Sequence, residues 1–136
     1  MPYGSATSLL TSRRSGSLGL LNQVNAHPTF ENSQWQIEAD LVATTAERQD
    51  ILNELWPNSI ISRVECELES AGLVIVPSQF VASDLQSRGL ASTQLVIAPY
   101  GVEFPINLDR RWSDRPDMLK VLYVGHVGYR KGLRYL

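Results

Sequence analysis

The chain has 136 residues, 43% of them hydrophobic, which is enough for a domain with a real core and too apolar for a disordered segment. A formal charge of −2 with no basic stripe argues against a nucleic-acid partner. The single cysteine, Cys66, excludes an internal disulfide and a cysteine-built zinc cluster. No apolar run approaches the roughly 20 residues of a transmembrane helix. The start, Met1-Pro2-Tyr3-Gly4-Ser5, lacks the charged and apolar regions of a secretory signal. The expectation is a cytoplasmic protein without a transmembrane segment, with peripheral membrane association left open.

The first helix is expected to start at a Ser5 cap and run to about Arg14, with Gly16 as its stop. Ala6, Leu9, Leu10 and Arg13 share one side of it. Residues 18–24 read as a strand that ends in Asn25-Ala26-His27-Pro28. His27 lies where open α/β sheets place ligand contacts, and an ordinary hydrogen-bonded loop histidine is the competing reading. From 29 to 55 the pattern is helical but broken. Trp35, Ala39, Val42 and Ala43 mark one face, Ile51, Leu52, Leu55 and Trp56 another, and Pro57 ends the run. Glu31, Glu38, Asp40, Glu47 and Asp50 read as solvated charges. After Asn58 or Ser59, the stripe Ile60, Val64, Leu68 and Ala71 marks a helix that Gly72 ends, with Arg63 and Glu67 as i,i+4 partners on its flank.

Leu73-Val74-Ile75-Val76 is a continuous apolar run, as expected of a central parallel strand covered on both sides. Ser78 is positioned to cap the next helix, with Phe80, Val81 and Leu85 toward the core and Gly89 just past the end. Leu95-Val96-Ile97-Ala98 reads as another buried strand, closed by Pro99-Tyr100-Gly101. Periodicity then vanishes through Pro105, Asp109-Arg110-Arg111 and Pro116, which reads as a linker. Leu119, Val121, Leu122, Tyr123 and Val124 make a last buried strand. It breaks at Gly125 and passes Gly128, Arg130 and Lys131 before a helix start at 132–136. A strand, a glycine loop and two cations before a helix make an anion seat, because glycines let backbone N–H groups approach a ligand while Arg and Lys supply charge. Helices alternating with short apolar strands predict an α/β fold with a parallel, Rossmann-like sheet.

The series Arg63…Glu67…Ala71-Gly72, Leu73–Val76, Pro77-Ser78, Phe80-Val81, Ile97-Ala98-Pro99-Tyr100-Gly101-Val102-Glu103 and 121–132 resembles the group-1 (family 4) glycosyltransferases. That family's pattern runs E-x-x-x-A-D, a hydrophobic strand, a serine, P-x-G-V-D, then a strand ending V-G-R-x-x-x-x-K-G. The likeness covers 59–136. It implies the two-domain GT-B fold, with residues 1–103 as the carboxyl-terminal part of the amino-terminal domain, 104–118 as the interdomain linker and 119–136 as the first strand and start of the donor-binding domain.

The resemblance also implies transfer of a sugar from a nucleotide-sugar donor to a hydroxyl acceptor, with retention. Lys131 matches the lysine that meets the donor diphosphate and Gly125 the turn glycine, with Gly128 and Arg130 beside them. Ser78, Gly101 and His27 become cleft candidates. His126 stands where the family has an arginine, and Gly72 where it has an aspartate. No cofactor or metal is implied, since protein cations can take the charge a magnesium ion would neutralise. No carboxylate stands out as a catalytic base. The family's opening glycine loop and its paired-glutamate donor motif are both missing from the 136 residues, so an internal or truncated fragment, not catalytic alone, is expected. Two alternatives stay open: a non-catalytic α/β module that binds a phosphate or nucleotide through Arg130 and Lys131, and an interaction protein whose last segment adds a strand to a partner.

Overall fold

The computed structural model describes residues 5–101, 103, 121–125, 128–132 and 135. The chain divides into two compact units, Met1–Tyr100 and Gly101–Leu136. The expected linker, 104–118, lies outside the described residues. Among the described residues, no helix is long and apolar enough to cross a membrane.

The first unit is a Rossmann-like α/β arrangement. Strands β1 (Leu20–Asn22), β2 (Leu73–Val76) and β3 (Leu95–Ile97) form a parallel sheet in the order β1-β2-β3. Helices α1 (Ala6–Arg14), α2 (Pro28–Leu41), α3 (Thr45–Leu52), α4 (Asn58–Ser70) and α5 (Gln79–Ser87) complete it. The register pairs Leu21 with Val74, and Val74 in turn with Leu95, so these side chains share one face. On that face Leu21, Val74 and Val76 meet Leu9 of α1, Val64 and Leu68 of α4, and Val81, Ala82 and Leu85 of α5. Val64, Val74 and Val76 are fully buried, each contributing about 1.5–3 kcal/mol from water exclusion.

Local signals account for most helix ends. Ser78 caps α5, its hydroxyl accepting from the Val81 N–H at 3.4 Å. Gly89, at φ +97°, closes the same helix: its N–H donates to Gln86 O and that of Leu90 to Leu85 O, a two-bond stop that needs a left-handed residue. The break between α2 and α3 comes from Val42, which is extended, and from Thr44, whose hydroxyl accepts from the Glu47 N–H while donating to the Glu47 carboxylate. Trp35, Ala39 and Ile51 then fold α2 against α3 around a second, smaller core.

Several expectations are corrected. The first strand is three residues long rather than seven, because its ladder with β2 ends one hydrogen bond past Asn22, at Gln23 N–H to Ile75 O. Among the described residues, helices cover β2 on one face, not two. The alternate positions Leu73 and Ile75 are only half-buried beside Leu20 and Val96, which are 56% and 41% exposed. Among the described residues β3 is an edge strand, and Val96 and Ile97 are exposed rather than buried. Phe80 lies outside the core at 58% exposure, since Val81, Ala82 and Leu85 already fill the side of α5 that meets the sheet; its ring instead makes an edge contact with Phe30, centroids 5.3 Å apart. Glu31 is not a solvated charge, for its carboxylate accepts from Trp56 Nε1 at 2.7 Å while Asn32 exchanges two hydrogen bonds with the Trp56 backbone.

The second unit differs from its expectation too. Among the described residues no ladder includes 121–124, and Val121, Leu122 and Val124 are exposed; a strand exists only through its pairing, which a hydrophobic run does not supply. A 3₁₀ turn occupies Tyr129–Lys131 and carries the two cations, while most of the helix expected at 132–136 lies outside the described residues.

Glu67 is the largest correction. It is 1% exposed, and its Oε1 accepts from the Ser5 N–H at 2.8 Å, tying the start of α1 to α4. Ser5 sits at the N-cap position, but its side chain makes no capping bond. The buried carboxylate does that work for the helix end instead, with the favourable end of the α1 dipole toward it. Glu67→Ala leaves the Ser5 N–H without its acceptor and opens a void. It is expected to lower unfolding free energy by about 1–3 kcal/mol in urea titrations, with Glu67→Gln, which keeps an acceptor, lowering it less. Equal stability of Glu67→Ala and the unaltered protein would show that the tie carries no load.

Candidate functional site

Two places gather chemistry, one in each unit. In the first, the backbone leaving β1 turns into α2 at His27, which is the N-cap residue and is 2% exposed. Its own N–H donates to Asp84 Oδ2 at 2.7 Å. The Thr29 N–H donates to His27 Nδ1 at 3.3 Å, and the Thr29 hydroxyl lies 2.8 Å from the same nitrogen. Arg88 Nη1 donates to the Thr29 hydroxyl oxygen, leaving that hydroxyl's hydrogen for Nδ1. Nδ1 is therefore an acceptor and the ring proton is on Nε2, so His27 is neutral. Arg88 also donates to Asp84 Oδ1, from Nε at 3.1 Å and from Nη2 at 3.0 Å, with the Asp84 side chain only 7% exposed. Asp84 thus bridges the β1–α2 turn to α5, and Arg88 closes the loop through Thr29.

This brace borders a cavity of about 370 Å³, lined by His27, Leu68, Leu85, Leu90, Arg88 and the α4 carboxylates Glu65 and Glu69, with Gly89 at its edge. It opens between the carboxyl-terminal halves of α4 and α5, which lead into the amino ends of β2 and β3. The carboxyl edge of the sheet, where open α/β folds usually bind ligands, lies at the other end of those helices. Burial pushes the His27 pKa below its ordinary 6.5, and Arg88 pushes it the same way, against the opposite pull of Asp84 and Glu65.

The expected site residues fall out as follows. His27 borders the cavity. Ser78 is not part of its wall; its hydroxyl is committed to capping α5. In the second unit Gly125 has φ +155° and a Cβ there would lie 3.0 Å from the Tyr123 hydroxyl. Gly128 is extended at φ −173°, a conformation open to any residue, and Gly101 has open space around it. Arg130 and Lys131 are exposed on the 3₁₀ turn, which Gly132 ends in the left-handed region at φ +64°. His126 lies outside the described residues. Sequence reasoning missed Thr29, Glu65, Glu69, Asp84 and Arg88. The i,i+4 spacing of Asp84 and Arg88 was a visible signal, but their connection to His27 spans 57 residues of chain. Comparison with protein-family models, curated proteins and solved structures finds no match to this chain.

The depressed His27 pKa makes a directional prediction. The folded protein binds this proton less readily than the unfolded chain does. Its contribution to stability is therefore complete above 6.5 and is lost as the pH falls from there toward the lower folded-state value. Protonation also removes the acceptor for Thr29. Thermal unfolding should give a midpoint that falls across this window, and His27→Asn, which still caps a helix but does not titrate, should flatten that part of the profile. An identical profile in the two proteins would remove His27 from the linkage.

Proposed function

We propose that the chain is part of a GT-B glycosyltransferase that transfers a sugar from a nucleotide-sugar donor to a hydroxyl acceptor with retention, with Arg130 and Lys131 meeting the donor diphosphate. The observation that carries this reading is the order of its motifs: Glu67 and Ala71-Gly72 before an apolar strand, then Ser78, Pro99-Tyr100-Gly101-Val102-Glu103, and Gly125 through Lys131-Gly132. The parallel sheet supports it, with Ser78 directly beyond the carboxyl end of β2. The placement of both cations on one exposed turn, next to a left-handed glycine, supports it as well.

The chemistry asked of these residues is electrostatic. As the bond between sugar and diphosphate breaks, negative charge grows on the leaving phosphate oxygens. Fixed cations and backbone N–H groups there stabilise that state more than the intact donor, which is what accelerates the step. Arg130 can present two parallel N–H groups to one phosphate, whereas Lys131 acts as a point charge.

Calorimetric titration of the protein with UDP and with GDP tests this reading. One of the two nucleotides is expected to bind, and Arg130→Ala with Lys131→Ala to weaken it by roughly tenfold or more without changing the unfolding midpoint. Nucleotide binding that the double change leaves intact would remove the diphosphate role from these residues.

A further inference from the structure

Among the described residues, two apolar surfaces of the first unit are left uncovered. One belongs to the sheet. The register places Leu20, Asn22, Leu73, Ile75 and Val96 on the face turned away from the helices, and none of the five is charged. Leu20 and Val96 are exposed there. The other surface belongs to α2. Successive helical residues turn by about 100°, so Ile37 and Leu41 stand on the side opposite Trp35 and Ala39, which pack with Ile51 of α3. Ile37 is 54% exposed and Leu41 62%. Phe30, two turns before Ile37, continues the stripe, half-buried beside Phe80. A helix with apolar residues on opposite sides is built to lie between two layers.

The two surfaces match in kind, size and charge. Parallel sheets occur almost only with helices over both faces, and here the described helices cover one. Three strands span two interstrand spacings, about 10 Å, which is the width of a single helix. Strands of three and four residues run about 10–13 Å, and the stripe from Phe30 to Leu41 about 17 Å, so one helix is enough to cover the face. The sheet face carries no charge. On α2, Glu38 and Asp40 flank the stripe without interrupting it, so docking buries no ion. Within one copy the stripe cannot reach the open face. The start of α2 is tied to α5 through His27 to Asp84 and Arg88 to Thr29, and α5 packs on the covered face.

We propose that the uncovered sheet face of one copy of this chain docks the Ile37 and Leu41 stripe of α2 from a second copy. The contact joins two different patches, so it is heterologous. A pair still offers a free stripe at one end and a free sheet face at the other, and association continues past the dimer. One such contact buries on the order of 1,000 Å² in total, the lower end for a specific interface, so the assembly is weak and concentration-dependent. The contact uses no residue of the second unit and does not depend on the reading of Arg130 and Lys131.

Sedimentation velocity at concentrations up to about 200 μM tests the proposal. The unaltered protein is expected to give a weight-average mass that climbs with concentration past twice that of one chain. Leu20→Lys with Val96→Lys removes the sheet face, and Ile37→Lys with Leu41→Lys removes the stripe. Both pairs change exposed side chains only, so the unfolding midpoint, measured as a control, should stay in place. Each variant alone should remain a monomer. Mixed in equal amounts, the two should form a 1:1 pair and nothing larger, since one variant keeps its stripe and the other its sheet face. Unaltered protein that stays monomeric, a folded variant that still associates with itself, or a mixture that stays monomeric would each overturn the proposal.

Discussion

The alternation of side chains along β2 is the constraint on which the first unit rests. As the middle strand of three, β2 must satisfy a ladder on each side, so its four residues have no freedom of register. The pleat sends Val74 and Val76 into the helices and Leu73 and Ile75 the other way. Strands ordered as in the sequence, joined by crossovers of the usual right hand, carry their connecting helices to the same face. The helices that touch the sheet do so on the face of Leu21, Val74 and Val76. The opposite face consequently keeps an apolar surface, Leu20 and Val96 beside Leu73 and Ile75, and that is why β2 is hydrophobic at every position although one face alone is packed by helices.

Polar ties do what apolar packing leaves undone between the helices. Glu67 fastens the start of α1, Asn32 and Glu31 fasten the turn at Trp56, and Asp84 with Arg88 fastens the turn at His27 to α5. Each uses a charged or amide side chain to satisfy backbone groups at a helix end or turn, where no ladder can supply partners. Such ties are directional, unlike leucine contacts, and so fix how each helix enters the layer. The His27 tie also sets the ring's chemistry, because Nδ1 accepts from Thr29 to build the cap and the proton is left to Nε2.

The parts of the fold legible in the sequence were those written in adjacent residues. Ser78 and Gly89 punctuate α5 through their own backbone geometry, and the stripe Ile60, Val64, Leu68, Ala71 needs no knowledge of what lies opposite, whereas Pro57, expected to end the preceding run, caps the start of α4 instead. Position within the sheet was not legible, because Leu95-Val96-Ile97 at an edge has the same composition as a strand in the middle. The partners of buried polar groups were not legible either. Glu67 reads as a flank residue beside Arg63, and only the fold brings the Ser5 N–H, 62 residues away, to its carboxylate. For the candidate sites, His27 stood out as a histidine after a strand, while the residues that set its protonation sit on α5 and at Thr29.

The two sites pose opposite problems of electrostatics. Arg130 and Lys131 are exposed on their turn, and a Coulomb attraction there is about 1 kcal/mol at contact distance in water and is screened by salt. A diphosphate held by these cations alone would bind weakly and without orientation. Tight binding at such a turn requires backbone N–H groups to converge on the same oxygens, and the backbone shape needed for that is what the glycines at 125 and 132 permit. The brace at His27 has the reverse balance: the ring is buried, and its polar partners, Thr29, Asp84 and Arg88, are supplied by the fold rather than by solvent.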